Sequence, residues 1–145
     1  MATRVFRNII EQGLLNTIDL TNVTYKVALL KENPTINGDE GTYSDITNEE
    51  LSDSGTNYTL GGKVINNTSY DSSANDNEFL RGDNVNFDNL NATVGGLVVY
   101  VDDADTAKQY LVSYTVLDDA VTVDDVTLTV AWQSGIVFGV QAPTY

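Results

Sequence analysis

Val126-Thr127-Leu128-Thr129-Val130-Ala131-Trp132 decides the fold class. Val126, Leu128, Val130 and Trp132 alternate with Thr127, Thr129 and Ala131, a period of two that suits a strand with one face toward a core. Working outward, Tyr110 to Leu117 repeats the pattern, with Tyr110, Val112, Tyr114 and Val116 set against Leu111, Ser113 and Thr115. Val94 to Asp102 contains the longest apolar run, Gly95 to Val101, and predicts a buried strand. Thr24 to Leu30 predicts the first strand, Tyr58 to Ile65 another, with Gly61 and Gly62 at a bend or bulge. Glu78 to Arg81, Asn84 to Phe87 and Ile136 to Val140 complete the set. Asp102-Asp103-Ala104-Asp105, Asp118-Asp119 and Asp124-Asp125 are placed in turns between these strands, and polar Asn66 to Asn77 in an exposed loop or edge hairpin.

Composition agrees. The chain holds 17 Val and 17 Thr, which suit pleated, half-buried surfaces, and 15 Asn and 15 Asp, which suit turns, against only 6 Glu. Helical spacing is confined to the N-terminus, where Phe6, Ile9, Ile10 and Leu14 recur on one side and Arg4, Arg7, Asn8 and Glu11 fill the other. Thr3 is the candidate N-cap of a helix over about 3–15. Thr47-Asn48-Glu49-Glu50 has the form of a capping box and predicts one helical turn near 47–52. Strands spaced by turn signals about every ten residues predict a mainly β chain: an antiparallel β-sandwich or barrel, jelly-roll-like, with one N-terminal α-helix. With 145 residues, no internal repeat and no long linker, residues 1–145 are expected to form a single domain.

The sequence excludes several kinds of chemistry. Twenty-one acids against seven bases give a formal charge of −14, which repels nucleic-acid phosphates, so no nucleic acid is expected as a partner. The chain contains no Cys, so disulfides, thiol catalysis and thiolate metal sites cannot form. It contains no His either, which removes the commonest general base. No stretch approaches the roughly 20 apolar residues of a membrane-spanning helix, and the first residues lack the apolar run of a signal peptide. Neither a membrane nor a secretory route is expected, and Asn-x-Ser/Thr matches at Asn22, Asn57 and Asn91 reflect composition.

The remaining motifs are weak. Carboxylate oxygens in the Asp clusters are calcium-type ligands, but none carries the glycine and distal glutamate of a calcium loop, and Gly82 stands where Asp71 to Asn77 would need that glutamate. Adjacent Asp residues in turns are ordinarily solvated, so no metal and no cofactor are assigned. Paired carboxylates could serve glycoside hydrolysis, yet 21 acids make accidental pairs common. Gly61-Gly62-Lys63 lacks the upstream glycine and the following helix of a phosphate loop, and is assigned to a structural turn at Gly61 and Gly62. Arg81-Gly82-Asp83 matches an integrin-binding tripeptide, but three-residue matches arise often by chance, and Arg81-Gly82 is assigned to a turn between two strands. The eight tyrosines could line a sugar platform, although alternating strand positions favour packing, and Trp132 is assigned to the core. No enzyme is expected.

Several segments in order carry a resemblance. Phe6-Arg7-Asn8-Ile9-Ile10 precedes Gly13-Leu14-Leu15 and Ile18-Asp19-Leu20; then come Tyr25 to Leu30 and Tyr43-Ser44-Asp45-Ile46. Tyr58-Thr59-Leu60-Gly61-Gly62-Lys63-Val64, Phe87-Asp88-Asn89, Leu97-Val98-Val99-Tyr100, Thr127 to Trp132 and Gly135-Ile136-Val137-Phe138 follow. This order resembles a family of small virion structural proteins of tailed bacteriophages. The resemblance implies a capsid decoration, or cement, protein that binds the major capsid protein on the exterior of a phage head. It further implies a homo-oligomer, in such roles a trimer, made in the host cytoplasm and carried on the virion. The alternative is a tail or fibre component that binds host-surface glycans. The chain departs from that family in being unusually acidic and poor in lysine.

Charge suggests where docking would occur. Residues 1–31 carry four bases against two acids, a net +2, while the remainder carries three bases against 19 acids, a net −16. Arg4, Phe6, Arg7 and Ile10 are therefore the candidate interface to a capsid or to a neighbouring protomer.

Overall fold

A computed structural model describes residues 2–14, 19–72 and 78–140. Strand β1 (Ala2–Val5) leads into helix α1 (Arg7–Leu14), followed by β2 (Thr24–Leu30), β3 (Lys63–Val64), β4 (Ser69–Ser72), β5 (Glu78–Arg81), β6 (Val85–Asp102), β7 (Leu111–Val130) and β8 (Ile136–Val140). Short 3-10 turns lie at Tyr43–Ile46, Thr106–Lys108 and Gln133–Gly135. A five-stranded antiparallel sheet has the order β1-β7-β6-β2-β3, and a three-stranded one the order β4-β5-β8. The protein is mainly β and sandwich-like, with one short α-helix among the described residues, as the alternation of its sequence predicts.

The large sheet is apolar on both faces. Tyr25, Val27, Leu29, Val99, Val101 and Val112 join Leu51, Tyr58, Ile65, Leu80, Phe87 and Val137 in the larger core. On the opposite face Ala28, Leu30, Val98, Tyr100, Leu111 and Tyr114 pack with Phe6 and Ile46. Double-sided burial explains why Val27-Ala28-Leu29-Leu30 and Val98-Val99-Tyr100-Val101 are continuous apolar runs, where a strand with one wet face would alternate. A one-residue bulge between Val99/Ser113 and Tyr100/Leu111 places Val112 beside its neighbour Ser113 on the larger core's side of β7.

Several boundaries differ from the sequence reading. Thr3 belongs to a strand paired with Thr115 and is not a helix cap; the helix begins at Arg7 and is described as far as Leu14. The helical turn expected near 47–52 lies earlier, at Tyr43–Ile46, where Asp45 accepts the Gly41 and Thr42 amides at 3.0 and 2.9 Å. Only Lys63–Val64 of the segment 58–65 is strand. Asn66 to Asn77 follows the edge-hairpin alternative: it contains β4, which ends the small sheet and pairs antiparallel with β5, and residues 73–77 lie outside the described set. Trp132 sits half-buried at the rim of the core, its indole N–H donating to the Asp83 carbonyl at 2.9 Å.

The largest difference concerns the long hairpin. Segments 84–87 and 94–102, expected as separate strands, form the single 18-residue β6; those around 110–117 and 126–132 form the 20-residue β7. Asp118-Asp119 and Asp124-Asp125 therefore lie inside a strand and not in turns. Each supposed break is a bulge. Asn89, at φ 50°, is the extra residue between Phe87 and Leu90, and a single extra residue of β7 falls in the run holding Asp125, at φ 53°. Asn and Asp tolerate this left-handed conformation, so in sequence such bulges look like turns. From Val94/Val121 to Gly96/Val116, β6 advances two residues and β7 five. Here the hairpin bends. Ser113 and Val130 of β7 line the same cleft, although 17 residues of straight strand would separate them by about 56 Å.

Two glycine pairs allow the close approaches. A β-carbon on Gly95 would lie 2.1 Å from the Lys31 carbonyl oxygen, and one on Gly96 2.3 Å from that of Thr115. Gly61 and Gly62 turn with φ of 89° and 72°, as the expected structural turn requires, and a β-carbon on Gly62 would lie 1.9 Å from the Val27 carbonyl oxygen. Gly55 has a similar φ of 71° with no atom within 4 Å of a built β-carbon. Gly55→Ala is therefore expected to cost about 1 kcal/mol, the left-handed penalty alone. Gly62→Ala, which adds a clash with β2, is expected to cost about 3 kcal/mol or more. Urea denaturation of the two variants separates these terms.

Candidate functional site

The expected N-terminal interface divides when its residues are placed. β1 runs along β7, with Arg4 opposite Tyr114, and the chain then turns into α1. Phe6 is 0 % exposed and packs on Tyr114 with ring centroids 4.8 Å apart, so it is a core residue of this chain. Arg4, Arg7 and Ile10 remain exposed, Ile10 at 51 %. Arg7 meets Asp39 at 3.1 Å, a solvent-exposed pair of small energetic weight. Arg4 borders a shallow hollow of about 430 Å³ with Pro34, Ile36, Tyr114, Val116, Leu117 and Asp118. The exposed part of the predicted set is thus two cations and one isoleucine around the β1–α1 corner.

A second cluster was not singled out by sequence. Glu50 is a buried acid, 7 % exposed. Its carboxylate accepts the Tyr58 hydroxyl and the Gly61 amide, each at 2.7 Å, and the Tyr43 hydroxyl. Tyr58 in turn accepts the Leu29 amide at 3.0 Å, while Tyr100 donates to the Gly61 carbonyl at 2.6 Å and stacks on Tyr43 at 4.6 Å. Burial foremost, with the Glu50 charge behind it, pushes the Tyr43 and Tyr58 hydroxyls well above the ordinary phenol range, so both remain donors. Every partner is spent on another protein group. The cluster is a polar clamp that joins the segments around 43–50 and 58–61 to β2 and β6. In sequence Glu50 resembled the end of a capping box, and nothing local distinguishes it from the exposed Glu32.

Other sequence motifs are absorbed by the fold. In Arg81-Gly82-Asp83, Arg81 bonds Asp71 at 2.9 Å and the Ser134 carbonyl at 2.7 Å, Asp83 accepts from Asn67 at 2.6 Å, and Gly82 abuts Ile65. Asp103 and Asp105 accept the Asp105 and Ala107 amides at 2.8 and 3.0 Å. Among the described residues no three acids gather as a metal-binding group. Tyr25, Tyr58, Tyr100 and Tyr114 are buried and form no external aromatic platform.

A trough of about 540 Å³ lies between β1 and β8, which are end strands of their respective sheets. Thr3 and Val5 of β1, Leu97 of β6, Ser113, Thr115 and Val130 of β7, the segment 131–134, and Ile136 to Phe138 of β8 line it. Thr3 and Thr115 hydroxyls bond each other at 2.7 Å. Ser113, 1 % exposed, has a hydroxyl with no hydrogen-bond partner among the described residues. Its position in an alternating strand gave no sign of this.

No family model, curated protein or solved structure matches the chain.

Tyr58→Phe leaves the Leu29 amide without its buried partner and Glu50 Oε1 with the Gly61 amide alone, and is expected to cost about 1–3 kcal/mol, measured by chemical denaturation. A pH effect follows from Asp45, which the Thr42 and Gly41 amides hold below the ordinary carboxylate value of 3.8. A folded-state pKa lowered in this way contributes stability above the unfolded value, and the contribution disappears as pH falls through the lowered one. Asp45→Asn should therefore lower the urea midpoint near neutrality and flatten its decline below about pH 4.

Proposed function

We propose that this protein is a structural component of a tailed-bacteriophage virion, a decoration protein that lies on the capsid exterior and stabilises the shell. The observation that carries the reading is the ordered series of segments that resembles the small virion structural proteins, from Phe6-Arg7-Asn8-Ile9-Ile10 to Gly135-Ile136-Val137-Phe138. Those segments within the described residues belong to core strands, the β1–α1 corner and tight turns, as suits a family defined by architecture. The buried Glu50 and its tyrosines serve as internal fastenings. Decoration needs a stable body and a docking patch. A standard interface buries about 1,600 Å², and repetition by symmetry converts modest contacts into high occupancy. Arg4, Arg7 and Ile10 would supply the patch toward the major capsid protein or a neighbouring protomer of a homo-oligomer, with the acidic remainder outward. Adhesion to host glycans by a tail or fibre component has less support, because four of the tyrosines that could stack on sugars are buried.

Deleting the N-terminal segment would remove Phe6 from the core, so surface substitutions are the proper test. Purified protein is expected to co-sediment with capsid shells of its virus. The triple variant Arg4→Glu, Arg7→Glu, Ile10→Asp should keep its melting temperature within a few degrees and lose roughly tenfold or more in occupancy. Undiminished binding would remove this patch from the docking role. Absence of the wild-type protein from the shells, or saturable binding on a glycan array, would remove the decoration reading.

A further inference from the structure

We propose that the trough between β1 and β8 is a second docking site, which takes an extended, uncharged peptide segment of a partner protein as an added strand. The inference stands apart from the virion reading, since it concerns the chemistry of the segment and not the assembly that provides it.

Three observations converge. The first is an open side to the sandwich. β1 ends the large sheet and β8 the small one, so each has one paired and one free edge, and among the described residues no backbone hydrogen bond from a further strand reaches either free edge. A free edge is a ready template for strand addition, in which the backbone provides affinity and alternate side chains enter pockets. The second is charge. No ionisable side chain lines the trough, in a chain whose formal charge is −14. Val5, Leu97, Val130, Ile136 and Val137 give it apolar walls, and Thr3, Thr115, Gln133 and Ser134 add only neutral polar groups, so an entering charge would lose hydration with no opposite charge to replace it. The partner segment is therefore uncharged, with apolar side chains at alternate positions. The third is Ser113. A buried hydroxyl without a partner is costly, and this one borders the trough, where a backbone or side-chain polar group of the incoming segment would satisfy it. The free edge of β7 beyond Val116 is a poorer template, because its bulges and the positive φ of Asp125 interrupt a regular ladder.

Trp132 is the single tryptophan and lines the trough, which supplies an intrinsic fluorescent reporter. The probe is the blocked peptide acetyl-Thr-Val-Thr-Val-Thr-Val-amide, with acetyl-Thr-Asp-Thr-Asp-Thr-Asp-amide as its charged counterpart. The valine peptide is expected to shift Trp132 emission saturably, and the aspartate peptide to leave it unchanged. Ser113→Ala has a signature of two opposite signs. It should raise the urea midpoint of the free protein, by removing an unpartnered hydroxyl, and weaken the valine peptide about threefold to tenfold. Thr3→Glu, at an exposed position on the rim, should keep the fold and weaken the peptide roughly tenfold. Equal responses to both peptides, or none, would overturn the proposal. So would a saturable shift with 1-octanol alone, which would make the trough a small-molecule site. Self-association that the valine peptide does not reverse would assign the trough to a second copy of the chain and equally overturn it.

Discussion

The bend in the β6–β7 hairpin is the constraint on which the architecture depends. Two strands of 18 and 20 residues cannot remain straight in a chain of this size, so they must curve around their own core. At the bend the backbone of β6 approaches the Lys31 and Thr115 carbonyls too closely for any side chain, which restricts positions 95 and 96 to glycine. On the other strand three extra residues between Val116 and Val121 take up the longer outer path. Once bent, the hairpin places Val85, Phe87, Leu90 and Val130 in the same core as Val27, Leu29 and Val99. It also leaves β1 and β8 as the end strands that border the open trough.

A polar clamp complements this apolar framework. The long connections between β2 and β3 have little regular structure, and a loop without backbone partners would be a weak cover for a core. Glu50 draws three donors from those connections onto one carboxylate, and Tyr58 passes the contact to the Leu29 amide. Such a network tolerates burial because each of its polar groups is satisfied. Ser113 is the contrasting case: a buried hydroxyl at the border of the trough with no partner among the described residues. The two sites separate a function of cohesion from one of reception, and this difference in hydrogen-bond satisfaction underlies the assignment of the trough as a place where another chain docks.

Local sequence was a good guide wherever a residue's role depended on its immediate neighbours. Thr24–Leu30, Glu78–Arg81 and Ile136–Val140 carry β-branched and aromatic residues between turn signals and are strands at those bounds. The Gly61-Gly62 turn was equally visible, because few other pairs accept consecutive positive φ. Reading failed at Asn89 and Asp125, where residues typical of turns sit in bulges, and at Thr3, whose hydroxyl meets Thr115 at 2.7 Å across the sheet. Phe6 shows the same limit. Its helical spacing suggested one face of a surface helix, whereas the ring lies in the core beside Tyr114.

Sequence by itself determined the β class, the approximate strand set, the glycine turn and the acidic character of the surface. These depend on side-chain periodicity, backbone permissiveness and charge, all properties of a short stretch or of composition. Tertiary structure alone decided that two pairs of predicted strands are one bent hairpin, that Glu50 is buried among tyrosines, and that Ser113 borders a neutral trough. Each of those facts depends on which distant backbone comes near, and a bulge and a turn use the same residues while sending the chain in different directions.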